Sequence, residues 1–180
     1  MQTFGTSETG ILKTQSKSSN SLFFKIVDPD INYKIENNEL LLSTTRGVKG
    51  YENVDSDKFR NGWFYTGDLV ELDNEGFIRI VGRKSQVINV GGLKVLPEEV
   101  EEVVNNIKGV IDSTAFAQNN PITGQMVAIE VIVENQDDEL SIREEIKAIC
   151  SKQLEKYKRP VRIIFENQIR ATNRLKKARR

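Results

Sequence analysis

The sequence has no histidine and one cysteine among its 180 residues. Without histidine there is no serine or cysteine triad of the usual kind, no histidine-ligated zinc and no imidazole acting as general acid or base. A lone cysteine, Cys150, excludes an internal disulfide and any multi-cysteine metal site. Its place in an apolar periodic run reads as a buried packing residue, and a reducing compartment fits. Neither sign of charge is in excess: Lys plus Arg total 26, as do Asp plus Glu. No global field therefore argues for nucleic acid, a membrane surface or an acidic substrate. The longest apolar run, residues 127–133, is interrupted by Glu130 and is too short to span a bilayer. The N-terminus lacks the charged-then-apolar layout of a signal peptide. These absences predict a cytoplasmic protein with no membrane span, whose chemistry runs on Lys, Arg, Asp or Glu.

What is present is enough chain for one domain or two small ones, burying roughly 70% of the unfolded surface at this size. Residues 12–21 are polar and serine-rich and predict a solvated loop. Short apolar bursts follow at 22–27, 40–43, 63–72 and 77–81, separated by Gly, Asn and Asp. Asp73-Asn74-Glu75-Gly76 is a turn signal, so residues 64–72 and 77–81 are expected to pair as a hairpin. The first eighty residues thus read as a small antiparallel β unit.

After Arg83 the texture alternates between strands and helices. Pro97 opens a helix at its favoured first position, with Glu98 and Glu99 near the positive end of the dipole and Val100, Val103, Val104 and Ile107 on one face. Gly109 stops it. Residues 110–117 and 126–133 read as strands around a turn at 121–124. Ser141 with Glu144 predicts a capping box for a second helix, whose Ile142, Ile146, Ile149, Cys150 and Leu154 share a face. Residues 161–165 close the unit. With residues 87–90 as a strand, the order is β-α-β-β-α-β, a compact α+β layout with a boundary near residues 82–86. The basic tract at 170–180, six of eleven residues, reads as a solvated tail. Ser43-Thr44-Thr45-Arg46-Gly47-Val48-Lys49-Gly50 lacks the glycine spacing of a phosphate loop and reads as a β-turn.

One constellation points to chemistry. Trp63-Phe64-Tyr65-Thr66-Gly67-Asp68-Leu69 is followed by Gly82-Arg83 and by Gly91-Gly92-Leu93-Lys94-Val95-Leu96-Pro97-Glu98-Glu99-Val100-Glu101. An aspartate at the end of an aromatic strand can accept hydrogen bonds from two vicinal ribose hydroxyls, and a nearby arginine can reach the same sugar or its phosphate. Paired glycines let a backbone approach a ligand closely. Taken singly, each of these segments is an ordinary turn, surface charge or loop.

In this order, the motifs resemble those of the adenylate-forming superfamily, which contains acyl-CoA and aryl-CoA synthetases, peptide-synthetase adenylation domains and firefly luciferase. Phe4-Gly5-Thr6-Ser7-Glu8 is similar to the family's aromatic-Gly-x-Thr-Glu motif and Tyr65-Thr66-Gly67-Asp68 to its T-G-D motif. Gly82-Arg83 through Glu101 resembles the arginine, hinge and Gly-Gly segment. Pro121-Ile122-Thr123-Gly124 and Tyr157-Lys158-Arg159-Pro160 fall at similar landmarks. The Gly91-Gly92-x-x-Val95-x-Pro97 form is more like acyl-CoA synthetases than peptide-synthetase domains.

The resemblance implies a two-step reaction. A carboxylate and Mg-ATP give an acyl-adenylate and pyrophosphate, and the acyl group then passes to a thiol, commonly of coenzyme A. It implies that Phe4 stacks near adenine, Ser7 contacts the α-phosphate, Glu8 binds magnesium, and Asp68 holds the ribose hydroxyls with Arg83 beside it. A single carboxylate plus phosphates agrees with the coordination habits of Mg²⁺. The catalytic lysine falls on Lys176 when counted without gaps from Tyr157. An alternative alignment on Asn173-Arg174-Leu175 puts the cation at Arg174. Lys176 is favoured because a compact ammonium suits a point contact. Ser85 occupies the hinge, where relatives typically have Asp or Lys, and Gly91 and Gly92 line the coenzyme A channel, where a Cβ would intrude.

On this reading residues 1–82 are a β-barrel-like remnant of the large AMP-binding domain, residues 83–86 the hinge and residues 87–180 a mobile lid. The chain is expected to be the C-terminal portion of an acyl-CoA synthetase serving fatty acid metabolism, inactive alone. Its carboxylic acid, ATP and coenzyme A would be bound with a missing N-terminal domain. The alternatives are an adenylation domain loading a carrier protein, and a non-catalytic binding module.

Overall fold

The computed structural model describes residues 4–6, 10–44 and 58–166. The chain divides into two compact units, Met1–Ser85 and Gln86–Arg180. In the first, β1 (Phe4–Thr6) pairs antiparallel with β2 (Gly10–Leu12). The remaining strands are β3 (Thr14–Ser16), β4 (Phe24–Ile26), β5 (Ile31–Glu36), β6 (Glu39–Thr44), β7 (Phe59–Arg60), β8 (Trp63–Leu72) and β9 (Ile78–Arg83). They form one seven-stranded antiparallel sheet in the order β3-β4-β9-β8-β6-β5, with β7 on β8. Leu12, Phe24, Ile26, Leu40, Leu42, Val70 and Ile78 make its core.

The hairpin expected around residues 73–76 is present as β8 and β9, with Leu72 opposite Ile78. Its turn is built by Asp73, whose Oδ1 accepts from the backbone N–H of Glu75 and of Phe77 at 2.9 and 2.8 Å. Lys17 donates to Asp73 at 2.6 Å and holds that carboxyl below its ordinary range. Two expectations need correction. Residues 12–21 are not a continuous loop, because β3 lies within them as an end strand, its register running from Thr14 opposite Ile26 to Ser16 opposite Phe24. An end strand gains its place through backbone hydrogen bonds and needs little apolar surface, so composition hid it. The strand β5 was not anticipated either. Asn37 and Asn38, with φ of 52° and 63°, form the two-residue turn that returns it as β6, a conformation asparagine tolerates better than most residues.

The second unit contains β10 (Ile88–Val90), β11 (Leu93–Val95), α1 (Pro97–Asn105), β12 (Val110–Asn120), β13 (Gly124–Val133), α2 (Glu139–Gln153) and β14 (Arg162–Phe165). The sheet runs β11-β10-β13-β12, and β14 lies parallel to β13. Because residues 93–95 also form a strand, the order is β-β-α-β-β-α-β, one strand more than expected. The two helices and one sheet face enclose Ile88, Val95, Val100, Val104, Ile107, Ala115, Ile129, Ile146 and Cys150. Alternation along the strands selects these residues, as does the 3.6-residue period along the helices. Burial pushes the Cys150 thiol up from its ordinary value, as befits a packing residue.

The expected capping box is absent. The second helix begins at Glu139, with Asp138 as N-cap, two residues before Ser141. The side chain of Asn135 accepts from the N–H of Asp137 and starts a 3₁₀ turn that feeds the helix earlier. Ser141 is then inside the first turn, where its hydroxyl donates to the carbonyl of Asp138 at 2.8 Å. Among the described residues no helix is long and apolar enough to cross a membrane.

Candidate functional site

The site is built on β8. Its side chains alternate, so Phe64, Thr66, Asp68 and Val70 all point to the buried face. Asp68 therefore takes a position that strand periodicity would give to an apolar residue, and it is only 2% exposed. A carboxylate in such a place requires a cation or several donors. Arg83 stands opposite in register on β9 and places Nε 2.6 Å from Asp68 Oδ1. Its Nη1 also donates to the carbonyl of Thr66 at 3.2 Å. Charge-assisted pairing of this kind fixes the carboxylate and orients the guanidinium. The Arg83 side chain is 41% exposed, so one side of the pair faces solvent.

The backbone around Asp68 is irregular, and side chains hold it so. Register shifts occur between Glu39 and Leu41 along β6 and between Leu69 and Val70 along β8. Gly67 has a φ of 74°, and a Cβ there would meet nothing within 4 Å. The glycine answers a dihedral requirement, not a steric one. The Thr66 hydroxyl donates to the carbonyl of Leu40 at 2.7 Å and accepts from the N–H of Asp68 at 3.0 Å. The N–H of Gly67 donates to Glu39 Oε1 at 3.1 Å, and Lys84 reaches Glu39 Oε2 at 2.7 Å. A bulge of this type re-aims a side chain next to a functional position. The result is a fixed carboxylate beside a half-exposed guanidinium, able to accept from hydroxyls and to meet an anion.

Of the residues singled out from sequence, Asp68 and Arg83 are brought together. Ser85 lies exposed in a 3₁₀ turn, Lys84–Gln86. Phe4 is described only by its backbone in β1, opposite Leu12. Ser7, Glu8, Arg174 and Lys176 lie outside the described residues. Gly91 and Gly92, in the second unit, form the turn between β10 and β11, with φ of 60° and 90°. Within this unit there is room for a Cβ at both positions. At Gly92 it would meet nothing within 4 Å, and at Gly91 only Thr123 at 3.8 Å. The turn's dihedrals demand glycine. The N–H of Gly91 donates to the carbonyl of Thr123 at 3.0 Å, which ties the turn to the 121–124 hairpin.

The landmark at 157–160 is scaffold. Arg159 donates to the carbonyls of Leu154 and Ser151 at 3.0 and 2.8 Å, capping α2. Lys158 lies 2.9 Å from Glu99 and 3.0 Å from Glu155, and its pairing with Glu99 raises its pKa above the ordinary lysine value. Glu39 and Lys84 were not singled out from sequence, and Thr66 entered only as a letter of the T-G-D motif. The signal for Glu39 was a carboxylate heading the otherwise apolar run Leu40-Leu41-Leu42.

Comparison with known proteins adds four findings. Residues 99–176 match the model of the AMP-binding enzyme C-terminal domain. Over 154 residues the chain is 33% identical to a long-chain-fatty-acid–CoA ligase of Escherichia coli, covering 83% of this chain and 27% of the ligase. It is also similar to the o-succinylbenzoate CoA synthetase of Bacillus subtilis in complex with its acyl-adenylate intermediate. There the TM-score is 0.73 at 25% identity, over 84% of this chain and 33% of that one. The same synthetase bound to ATP and a magnesium ion gives a TM-score of 0.68 at 26% identity, over 84% and 33% of the two chains. The chain thus spans well under half the length of these relatives.

Proposed function

We propose that this chain, which belongs to the adenylate-forming enzymes and carries their AMP-binding C-terminal domain over residues 99–176, is the C-terminal portion of an ATP-dependent acid–thiol ligase. The ligase joins a carboxylic acid to the α-phosphate of ATP, releases pyrophosphate and passes the acyl group to coenzyme A. Coenzyme A is preferred to a carrier protein because the relatives above are CoA ligases. One of them acts on long-chain fatty acids and the other on o-succinylbenzoate, so the acid is left as a class.

The observation that carries the reading is the Asp68–Arg83 pair, a buried carboxylate and a half-exposed guanidinium at 2.6 Å on adjacent strands. Asp68 accepts from the two ribose hydroxyls, and Arg83 holds the carboxylate in place while meeting the sugar or phosphate. Phe4 stacks near adenine and Ser7 contacts the α-phosphate. Magnesium supplies neutralisation of phosphate charge when bound. Its proposed protein ligand is Glu8, and among the described residues there is no group of three or more Asp, Glu, Cys or His that could hold a metal. Lys176, or alternatively Arg174, supplies positive charge where negative charge develops, a contribution worth on the order of 3 kcal/mol in comparable sites. Ser85 is the hinge of the 83–86 connector between the AMP-binding remnant at 1–82 and the lid at 87–180, and Gly91 and Gly92 line the thiol's path.

The test is a magnetic-resonance titration of the chain with AMP. Shifts at Gly67, Asp68 and Arg83, together with Phe4 and Ser7 and abolished by Asp68→Asn, are expected. Shifts elsewhere only, or survival in Asp68→Asn, would sink the assignment. Joined to a domain carrying a phosphate loop, the chain should support carboxylate-dependent exchange of pyrophosphate with ATP. Lys176→Ala should abolish that exchange; loss with Arg174→Ala alone would transfer the role.

A further inference from the structure

We infer that Glu39 is a positioning residue for the nucleotide site: one buried carboxylate that sets the backbone carrying Asp68 and at the same time anchors the residue after Arg83. The inference rests on the reading of Asp68 as the ribose acceptor and goes beyond it.

Glu39 is 4% exposed although it opens a strand at the end of a two-residue turn, where glutamate ordinarily faces solvent. Both of its oxygens are engaged, one by strand β8 and the other by the 3₁₀ turn that follows β9. Oε1 accepts from the N–H of Gly67, the residue before Asp68, at 3.1 Å. Oε2 receives the Lys84 ammonium at 2.7 Å, one residue after Arg83. The Lys84 side chain is 64% exposed, so the cation spans from solvent to a buried oxygen.

A regular antiparallel ladder would satisfy the Gly67 N–H with a backbone carbonyl of the neighbouring strand. Here the register slips between Glu39 and Leu41, and Val70 donates instead to Asn38 at 2.7 Å. Of the backbone groups between these contacts, the Gly67 N–H is met by the Glu39 side chain, and the φ of 74° at Gly67 aims it there. An unsatisfied buried N–H would pull that dihedral toward an ordinary one. Rotation at Gly67 carries the Asp68 carboxylate with it. Thr66 holds the same turn from the other side through its contacts with Leu40 and Asp68. Glu39 therefore touches no nucleotide; it acts through Gly67 on Asp68 and through Lys84 on the strand end bearing Arg83.

The experiment measures dissociation constants of the 180-residue chain for AMP and for 2′-deoxy-AMP. Their ratio reads the hydroxyl contact of Asp68, and general damage to the fold would not move it selectively. The unaltered chain should favour AMP by about tenfold, the weight of one hydrogen bond to a charged group. Glu39→Ala should bring the ratio to about one. Glu39→Gln, which keeps an acceptor for Gly67, should restore most of it. Lys84→Met should lower it about threefold and Lys84→Arg should recover it.

If the ratio is intact in Glu39→Ala and in Lys84→Met, the positioning role is overturned while the ribose assignment stands. If Asp68→Asn leaves the ratio of the unaltered chain unchanged, the ribose assignment falls and the inference falls with it. Should Glu39→Ala fail to fold, Glu39→Gln and the two Lys84 variants decide by themselves. A ratio lost in Lys84→Met and recovered in Lys84→Arg supports the role, and one unchanged in all three overturns it.

Discussion

Each unit contains a lysine or arginine held against a carboxylate, and the two pairs serve different ends. In the second unit Lys158, with its side chain 17% exposed, joins Glu99 in the first turn of α1 to Glu155 in the 3₁₀ turn after α2. Its neighbour Arg159 caps α2, and the apolar core of the unit also holds a buried carboxylate, Glu101, which accepts from the N–H of Ala115 at 2.8 Å. In the first unit the carboxylates, not the cations, are inside. Asp68 and Glu39 sit on strands at buried positions, while Arg83 and Lys84 reach them from solvent. Burying the acid and exposing the base leaves a fixed acceptor beside an accessible cation, an arrangement that can take a polar ligand. Burying the lysine stem over a helix end makes a brace. The depth of each partner, more than the presence of a pair, separates site from scaffold.

The contrast can be tested with two probes that report on separate units. The only tryptophan of the sequence, Trp63, lies in the first unit, and among the described residues both α-helices lie in the second. The largest effect is expected from Ile146→Ala, which empties a fully buried position between α2 and the sheet. It should cost about 2–5 kcal/mol in denaturant unfolding followed by the helical circular-dichroism signal. The Trp63 fluorescence transition should stay in place; movement of both transitions together would show that the two units unfold as one. Next comes Asp68→Asn, expected to weaken AMP binding by about tenfold or more through loss of a charged acceptor. The helical transition should not change.

A third substitution, Gly92→Ala, should destabilise the second unit by about 1–2 kcal/mol through its φ of 90° alone, since a Cβ there meets nothing within 4 Å. Gly92→Asn should cost less, because asparagine accepts that region more readily. Equal cost for the two would argue for a contact that the geometry does not contain.

These examples also show which features were legible in the sequence. The pairing of residues 64–72 with 77–81, the helix opened by Pro97 and the core face of α2 follow from turn chemistry and periodicity, which act over a few residues. Asp68 and Arg83 were found because a motif order fixed both. Features that depend on distant partners were not legible. Strand β3 exists because β4 lies beside it, and Glu39 matters because a bulge in β8 leaves the Gly67 N–H pointing at it. The start of α2 was placed three residues late, with Ser141 and not Asp138 as N-cap, because Asn135, outside the apolar pattern, begins the turn. The glycines at 91 and 92 were marked for a ligand's path, and the hairpin adds a need of its own, a positive φ at both, that the pair of letters did not reveal.

The smallest effect, and the one that probes the contrast from the scaffold side, is expected from Lys158→Met. The lysine stem is retained and the ammonium lost, so stability of the second unit should fall by about 1 kcal/mol or less, in the range of partly exposed ion pairs. AMP binding should be unchanged. The pH dependence carries a definite sign. Pairing with Glu99 raises the Lys158 pKa in the folded chain above the ordinary 10.5, so the folded state holds this proton more tightly than the unfolded state does. The stabilisation is complete below the unfolded value and is lost as pH rises from there through the folded value. The gap in stability between the unaltered chain and Lys158→Met should therefore be constant through neutral pH and narrow at both ends, in strongly alkaline solution as Lys158 loses its proton and in acid as Glu155, whose carboxyl the same pairing holds below its ordinary value, gains one. A gap unchanged in both acid and alkali would mean that charge pairing takes no part in the brace. A change in AMP affinity would place Lys158 with Arg83 and Lys84, and the division between brace and site would then no longer follow burial.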